Sequence, residues 1–340
     1  MGIGAELRIL VTGAAGFIGS SVAALLSQQG HSVLGIDNFS SYYSIKLKNA
    51  RKEALLDPNN LSLQSIDLSD VNEVRSLFSK ESFDVVVHLA AQPGVRIPLN
   101  NWDWYKRDNL DAFSNVILSS AQNKVPSFIY ASSSSVYGNG HNGAPLHELH
   151  TKAHPISFYG ATKLSNEILA EACSKQTGIK TRGLRFFTVY GPWGRPDMVY
   201  FRMVTSALVN EPFQFFGHGT VSRDFTFIDD VTSSVSDLMF ELTNRDKGTS
   251  DIVNVGGGMP ISINECLEII EGILGFKVPF IRVKADDRDV DSTNADFAYL
   301  KSLIGNFPKT TAKDGFERFI NWATLQTIQS NLSSWVKSVN

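Results

Sequence analysis

Three glycines spaced three residues apart, Gly13, Gly16 and Gly19, stand where the apolar run Arg8–Thr12 gives way to a helical period. No other feature restricts the fold of this chain so much. A strand that turns through Gly13-Ala14-Ala15-Gly16-Phe17-Ile18-Gly19 into a helix points backbone N–H groups at the positive helix end, and glycine lets a pyrophosphate approach closely. Alone, the same spacing also describes a plain tight turn. The residues downstream favour the dinucleotide reading. Asp37 closes the next strand 18 residues after Gly19, where a carboxylate accepts hydrogen bonds from an adenosine ribose and repels a 2′-phosphate, so NAD is expected over NADP.

The pattern around this turn extends it into a sheet. Short runs rich in β-branched residues alternate with helical periods to about residue 186, the signature of strand–helix–strand units and a parallel sheet. The expected strands are Arg8–Thr12, Val33–Asp37, Leu61–Ile66, Val85–Leu89, Ser127–Ser132 and Thr181–Phe186; the expected helices include Val22–Gln29, Val71–Phe78, Leu110–Asn123 and Thr162–Gln176. Beyond residue 186, Pro192, Pro196, Pro212, Pro260, Pro279 and Pro308 cut the chain into shorter pieces. A smaller lobe is therefore expected, with Phe225–Met239 and Ile252–Val255 returning to the sheet. The resulting division is 1–186 plus about 225–256 for the dinucleotide domain, and about 187–224 with 257–340 for a substrate lobe.

With 340 residues the chain has room for both, since single cores stop growing at roughly 250–300 residues. Its 19% charged residues and formal net charge of −3 argue against a nucleic-acid or membrane-surface binder. An anionic ligand must then be met by local donors. Cys173 and Cys266 lie far apart in helix-like stretches, which fits buried thiols in a reducing compartment and places the protein in the cytoplasm. His141, His147, His150 and His154 fall in a Gly/Pro-rich stretch that reads as loop, and no metal is expected.

Tyr159 and Lys163, four positions apart at the start of a helix, share one face. An ammonium beside a phenol lowers its pKa from about 10 toward neutrality, so the phenolate can take an alcohol proton while hydride leaves the same carbon. Such pairs arise by chance on many helices. This one follows a glycine turn and a strand ending in Ser132-Ser133-Ser134-Ser135.

TGAAGFIG at 12–19, HLAAQPGVR at 88–96, SSSSVYG at 132–138, YGATK at 159–163 and RDFTFIDD at 223–230 together resemble the extended short-chain dehydrogenase/reductase family over nearly the whole chain. The resemblance implies an α/β, Rossmann-type doubly wound parallel sheet with a smaller C-terminal α/β substrate lobe. Within that family, DNFSSYY at 37–43 and FFTVYGPWGRPDM at 186–198 look like UDP-glucuronate 4-epimerases, which implies interconversion of UDP-glucuronate and UDP-galacturonate through a 4-keto sugar, with tightly bound NAD recycled. By motif, Ser133 binds the oxygen at carbon 4, Tyr159 is base and then acid, and Lys163 partners the phenol and the cofactor ribose. The cofactor residues implied are Gly13, Gly16, Phe17, Ile18, Gly19, Asp37, Asn38, Asp67, Leu68, Leu89, Ala90, Ala91 and Asn109. Those implied for the UDP-sugar are Arg96, Ser134, Ser135, Thr188, Arg195, Arg223 and Arg288. Relatives of this kind usually pair as homodimers through two helices per subunit, here Leu110–Asn123 and Thr162–Gln176.

A uronate oxidised at carbon 4 is a β-keto acid, which loses carbon dioxide when the bond to its carboxylate aligns with the carbonyl. Related dehydratases and decarboxylases carry acids after the catalytic hydroxyl; this chain carries Ser134 and Ser135. Their hydroxyls, with Thr188, can hold the carboxylate plane, and the Arg195 fork suits a carboxylate bidentately. Two departures from the family pattern stand out: Asp286-Asp287-Arg288-Asp289-Val290 replaces the usual Gly-Asp-Val, and Ile97-Pro98 the usual Tyr-Ser. The rival readings are a neutral-sugar 4-epimerase, a uronate decarboxylase and a non-catalytic NAD-binding regulator.

Overall fold

The computed structural model describes residues 6–139, 141–285 and 290–338. Six strands, β1 (Arg8–Thr12), β2 (Ser32–Ile36), β3 (Ser62–Gln64), β4 (Val85–His88), β5 (Ser127–Ser133) and β6 (Lys180–Phe186), join Ser250–Val255 in one seven-stranded sheet. Every neighbouring pair in it is parallel. Parallel strands are covered on both faces, so they need apolar residues at successive positions. In β1 and β4 this is plain: Ile9, Val11, Val85 and Val87 enter one core, and Leu10 and Val86 the other. The helix Phe17–Gln28 and a later helix, Ile228–Thr243, contribute Val22, Leu26, Val231 and Val235 to the first core. The helices Val71–Lys80, Ala112–Gln122 and Phe158–Thr177 supply Leu77, Phe113 and Ala170 to the second.

Across the sheet the order runs Ser250–Val255, β6, β5, β4, β1, β2, β3. Chain direction across the sheet reverses between β1 and β4, and at such a switch point the two following loops diverge and open a crevice at the carboxyl ends of the strands. The glycine turn after β1 sits on that crevice.

One expectation fails here. Residues from Phe225 onward do not return to the large sheet as a strand: Ser222–Phe227 pairs in parallel with Thr188–Tyr190 and antiparallel with Pro260–Ser262 in a separate three-stranded sheet. The edge of β6 is already covered by Ser250–Val255, in register from Ser250 opposite Thr181 to Val255 opposite Phe186. Only the following helix reaches the large sheet. Phe213–Phe216 and Phe280–Val283 form a further parallel pair in the same region.

Candidate active site

The glycine turn is built for a ligand that lies against backbone. A Cβ on Gly13 would stand 2.8 Å from the Ala90 nitrogen, one on Gly16 2.9 Å from the Gly13 oxygen, and one on Gly19 would collide with that same oxygen. Gly13 also takes φ +71°, a left-handed conformation that glycine adopts without strain. The helix that follows starts at Gly16 without a side-chain cap, so its first N–H groups face outward for an anion. These features fit a dinucleotide pyrophosphate. Above the turn lies a cleft of about 570 Å³, walled by Gly13, Gly16, Phe17, Ile18, Gly19, Asp37, Asn38, Asp67, Leu68, Leu89, Ala90 and Ala91 on this side.

Asp37 is more committed than its sequence position suggests. Its carboxylate accepts from the Ala15 nitrogen at 3.1 Å and the Phe39 nitrogen at 2.7 Å, and pairs with the buried Lys48 ammonium at 3.3 Å. Lys48 went unforeseen, because one lysine in a polar stretch carries no periodic signal.

On the opposite wall, the helix Phe158–Thr177 starts at Ser157, whose hydroxyl accepts from the Gly160 nitrogen at 3.1 Å. Gly160 lets this helix start abut the serine run: a Cβ there would lie 2.6 Å from the Ser135 oxygen. Tyr159, Lys163 and Ser133 therefore converge on the cleft, with Ser134 and Ser135 beside them. Lys163, 2% exposed, donates to the Ala131 oxygen at 3.1 Å, and its nitrogen lies 5.9 Å from the centre of the Tyr159 ring.

The electrostatics differ in one respect from expectation. Burial pushes the Tyr159 phenol up, and what opposes this is the Arg195 charge and a hydrogen bond with Ser133, rather than Lys163. Burial also brings the Lys163 ammonium down to about 8. It still holds its proton at neutral pH. His88 behind it is driven down to about 3 by burial and by the Lys163 charge, so it stands neutral and bonds the Thr12 hydroxyl at 3.0 Å.

The rest of the cleft is lined by Thr188, Arg195, Arg96 and Arg223, together with Tyr42, Asp197 and Arg202, which sequence reasoning missed. Arg195 is not free to clamp a ligand with its whole fork. Its Nε donates to Asp197 at 3.0 Å and its Nη2 bonds the second Asp197 oxygen, so the bidentate face is filled from within the chain. Although burial alone would lower it, the Asp197 carboxylate holds the Arg195 charge firmly in place. The Tyr42 hydroxyl donates to Asp197 as well, at 3.4 Å. Arg96 lies with its guanidinium 4.3 Å from the centre of the Phe216 ring, and Arg223 donates to the Ser222 oxygen at 2.8 Å.

Two residues fall elsewhere. Asn109 does not line the cleft; its amide accepts from the Gln92 nitrogen at 2.7 Å and donates to the Thr162 hydroxyl at 3.1 Å, clipping the loop after β4 to the Tyr159 helix. Arg288 lies outside the described residues. Among the described residues no group of three or more His, Cys, Asp or Glu side chains is placed to hold a metal, and His147 and His150 simply pack at 4.3 Å between ring centres.

A seven-stranded parallel sheet, a glycine turn at its switch point and a Tyr–Lys pair on the facing helix define an extended short-chain dehydrogenase/reductase with NAD as its cofactor. The chain belongs to the NAD dependent epimerase/dehydratase family, which it matches over residues 9–256. It is 37% identical over 332 residues to UDP-glucuronate 4-epimerase 4 of Arabidopsis thaliana, covering 93% of this chain and 75% of that protein. Among solved structures, the UDP-glucuronic acid 4-epimerase of Bacillus cereus in complex with UDP-glucuronic acid and NAD is 33% identical with a TM-score of 0.85, over 93% of this chain and 98% of that one. The UDP-glucose 4-epimerase of Thermotoga maritima, with UDP-glucose, is similar at 26% identity and a TM-score of 0.82 over the same shares of the two chains.

Proposed function

We propose that this chain inverts carbon 4 of UDP-glucuronate to give UDP-galacturonate. What carries the reading is one grouping: Tyr159, Ser133 and Lys163 on one side of the cleft, with Ser134, Ser135, Thr188 and Arg195 beside them and no acid within the serine run. Ser133 orients the 4-hydroxyl while Tyr159, as phenolate, takes its proton. The Arg195 charge and the Ser133 hydroxyl are what favour that phenolate against burial, and Lys163 would hold the cofactor ribose. NAD, when bound, would supply the reversible hydride acceptor. The 4-keto sugar, planar at carbon 4, turns over in the cleft; hydride returns to the opposite face of that carbon and Tyr159 gives the proton back to the 4-oxygen, so no net reductant is consumed.

Holding the carboxylate is the second task. Ser134, Ser135 and Thr188 offer hydroxyls to it, while Arg195, tied to Asp197, presents only the remaining edge of its guanidinium as a donor. Arg202 and Arg223 face the diphosphate, and the lobe assigned to residues 187–224 and 257–340 takes the nucleotide. Thr188 and the Gly194-Arg195-Pro196-Asp197-Met198 run disfavour UDP-glucose; Ser135 in place of an acid disfavours decarboxylation; and an intact Tyr159–Lys163 pair disfavours a mere sensor. Incubation with UDP-glucuronate and no added reductant separates these readings: UDP-galacturonate supports epimerisation, UDP-pentose indicates decarboxylation, and no turnover indicates a sensor.

Thr188→Ala and Arg195→Ala are each expected to raise the UDP-pentose fraction about fivefold, the equivalent of losing roughly one hydrogen bond's worth of restraint on the carboxylate. Chromatography of the product mixture checks this; an unchanged ratio in both variants removes them from carboxylate control. Leu118 on the helix Ala112–Gln122 is 53% exposed, and Ile168 and Leu169 on Phe158–Thr177 are 62% and 42% exposed. Their exposure supports a homodimer closed by these helices. No helix of the described residues is long and apolar enough to cross a membrane, and the two free, buried thiols support a cytoplasmic protein.

A further inference from the structure

We propose that Arg51 is a positioning residue that sets the Arg195 loop and ties it to the dinucleotide turn, an inference that rests on the UDP-glucuronate reading above. Arg51 ends the helix Ile45–Arg51 and is fully buried. Its guanidinium reaches three separate segments. Nε donates to the Trp193 oxygen at 2.8 Å and Nη2 to the Gly194 oxygen at 2.9 Å, while Nη1 serves both the Tyr43 hydroxyl at 2.7 Å and the Ala15 oxygen at 3.3 Å.

Every one of these acceptors is a neutral oxygen. A buried cation held only by neutral groups carries a desolvation cost that an apolar residue filling the same space would avoid. Its use lies in geometry. Five N–H donors in a rigid plane can fix several carbonyls at once, which neither a lysine nor an apolar side chain achieves.

The carbonyls it fixes flank the residue that matters. Trp193 sits at φ +63°, a left-handed conformation that costs a tryptophan about 1–2 kcal/mol and persists only when its surroundings enforce it. Arg51 grips the oxygens of Trp193 and Gly194, the two residues immediately before Arg195. Gly194 has no room for a side chain, because a Cβ would strike the Tyr200 hydroxyl. The backbone that aims Arg195 is thereby held in one conformation.

On the cofactor side the same guanidinium meets Ala15, whose N–H is bound by the ribose-facing carboxylate of Asp37 and whose C=O is bound by Arg51. Adjacent tyrosines complete the link: Tyr43 accepts from Arg51, and Tyr42 donates to the Asp197 that pairs with Arg195. The turn that receives pyrophosphate and the loop that faces the uronate are parts of one hydrogen-bonded frame. Movement of the loop then misaligns the carboxylate without removing any group that touches the reacting carbon.

The test uses the holoenzyme and two variants. With Arg51→Lys, bound NAD is retained, KM for UDP-glucuronate rises about tenfold with kcat changed less than about threefold, and the UDP-pentose fraction rises about fivefold. Tyr43→Phe removes one acceptor and keeps the ring, and shifts KM and the pentose fraction the same way by about two- to threefold. An Arg51→Lys enzyme with unaltered KM and product ratio overturns the proposal, as does a loss of NAD with a uniform fall in rate, which marks a purely structural brace. If Arg51→Lys does not fold, unaltered values in Tyr43→Phe overturn it. A wild-type enzyme that leaves UDP-glucuronate unchanged sinks the underlying reading; an active wild type with unaffected variants sinks only the role of Arg51.

Discussion

Tyr159→Phe is expected to lower kcat by about a thousandfold or more, the usual span of general acid–base catalysis being roughly 10²–10⁴. Only the hydroxyl is removed. The ring keeps its place at the cleft wall, half-buried near Tyr105 at 6.2 Å between ring centres. Lys163 retains its bond to the Ala131 oxygen, so the cofactor side is undisturbed. The variant should purify with its NAD in place and bind UDP-glucuronate, yet fail to turn it over. Rate assays beside a count of bound cofactor check this, and full activity would remove Tyr159 from the chemistry.

A second large effect is expected one turn further along the same helix. Glu167 lies four residues beyond Lys163 and meets Arg185 of β6 through two bonds of 2.9 and 2.8 Å, both side chains only 6% exposed. The Ser132 hydroxyl also donates to Glu167, at 2.5 Å, and the Arg185 guanidinium lies 4.6 Å from the centre of the Tyr137 ring. Thus β5, β6 and the catalytic helix meet at one carboxylate. Glu167→Ala leaves a buried guanidinium without its counter-charge, and removing one partner of such a pair costs about 3–5 kcal/mol. The melting temperature should fall by about 10 °C. Because Ser133 follows Ser132 directly, activity measured well below the melting range should fall too. A variant with wild-type melting and rate would show that the pair does not hold the site.

Much of this was readable in the residues themselves. Strands such as β1 and β4 announce themselves because a sheet covered on both faces requires unbroken apolar runs, and the glycine turn is legible because backbone contact there excludes every side chain. Tyr159 and Lys163 share a face by helical geometry alone. What stayed hidden depends on long-range approach. Tyr42 and Asp197 are 155 positions apart, and Arg51 lies 142 positions from Trp193; no local pattern marks either contact. The pairing of Arg195 with Asp197 is only two residues long, but whether such neighbours turn toward each other depends on the Trp193 backbone. The run Phe225-Thr226-Phe227 suits a strand in either sheet, and only the already covered edge of β6 decides between them. For Asn109 the motif implies support of the cofactor side, and its particular partners, Gln92 and Thr162, are set by long-range approach.

The mechanism predicts that the hydrogen on carbon 4 leaves and returns without meeting solvent, so UDP-glucuronate deuterated at that carbon is the most direct probe. Mass and NMR analysis of the nucleotide sugar, with no reductant added, should find UDP-galacturonate with the deuterium still on carbon 4. Deuterium lost to water, or a pentose product with release of carbon dioxide, would contradict it.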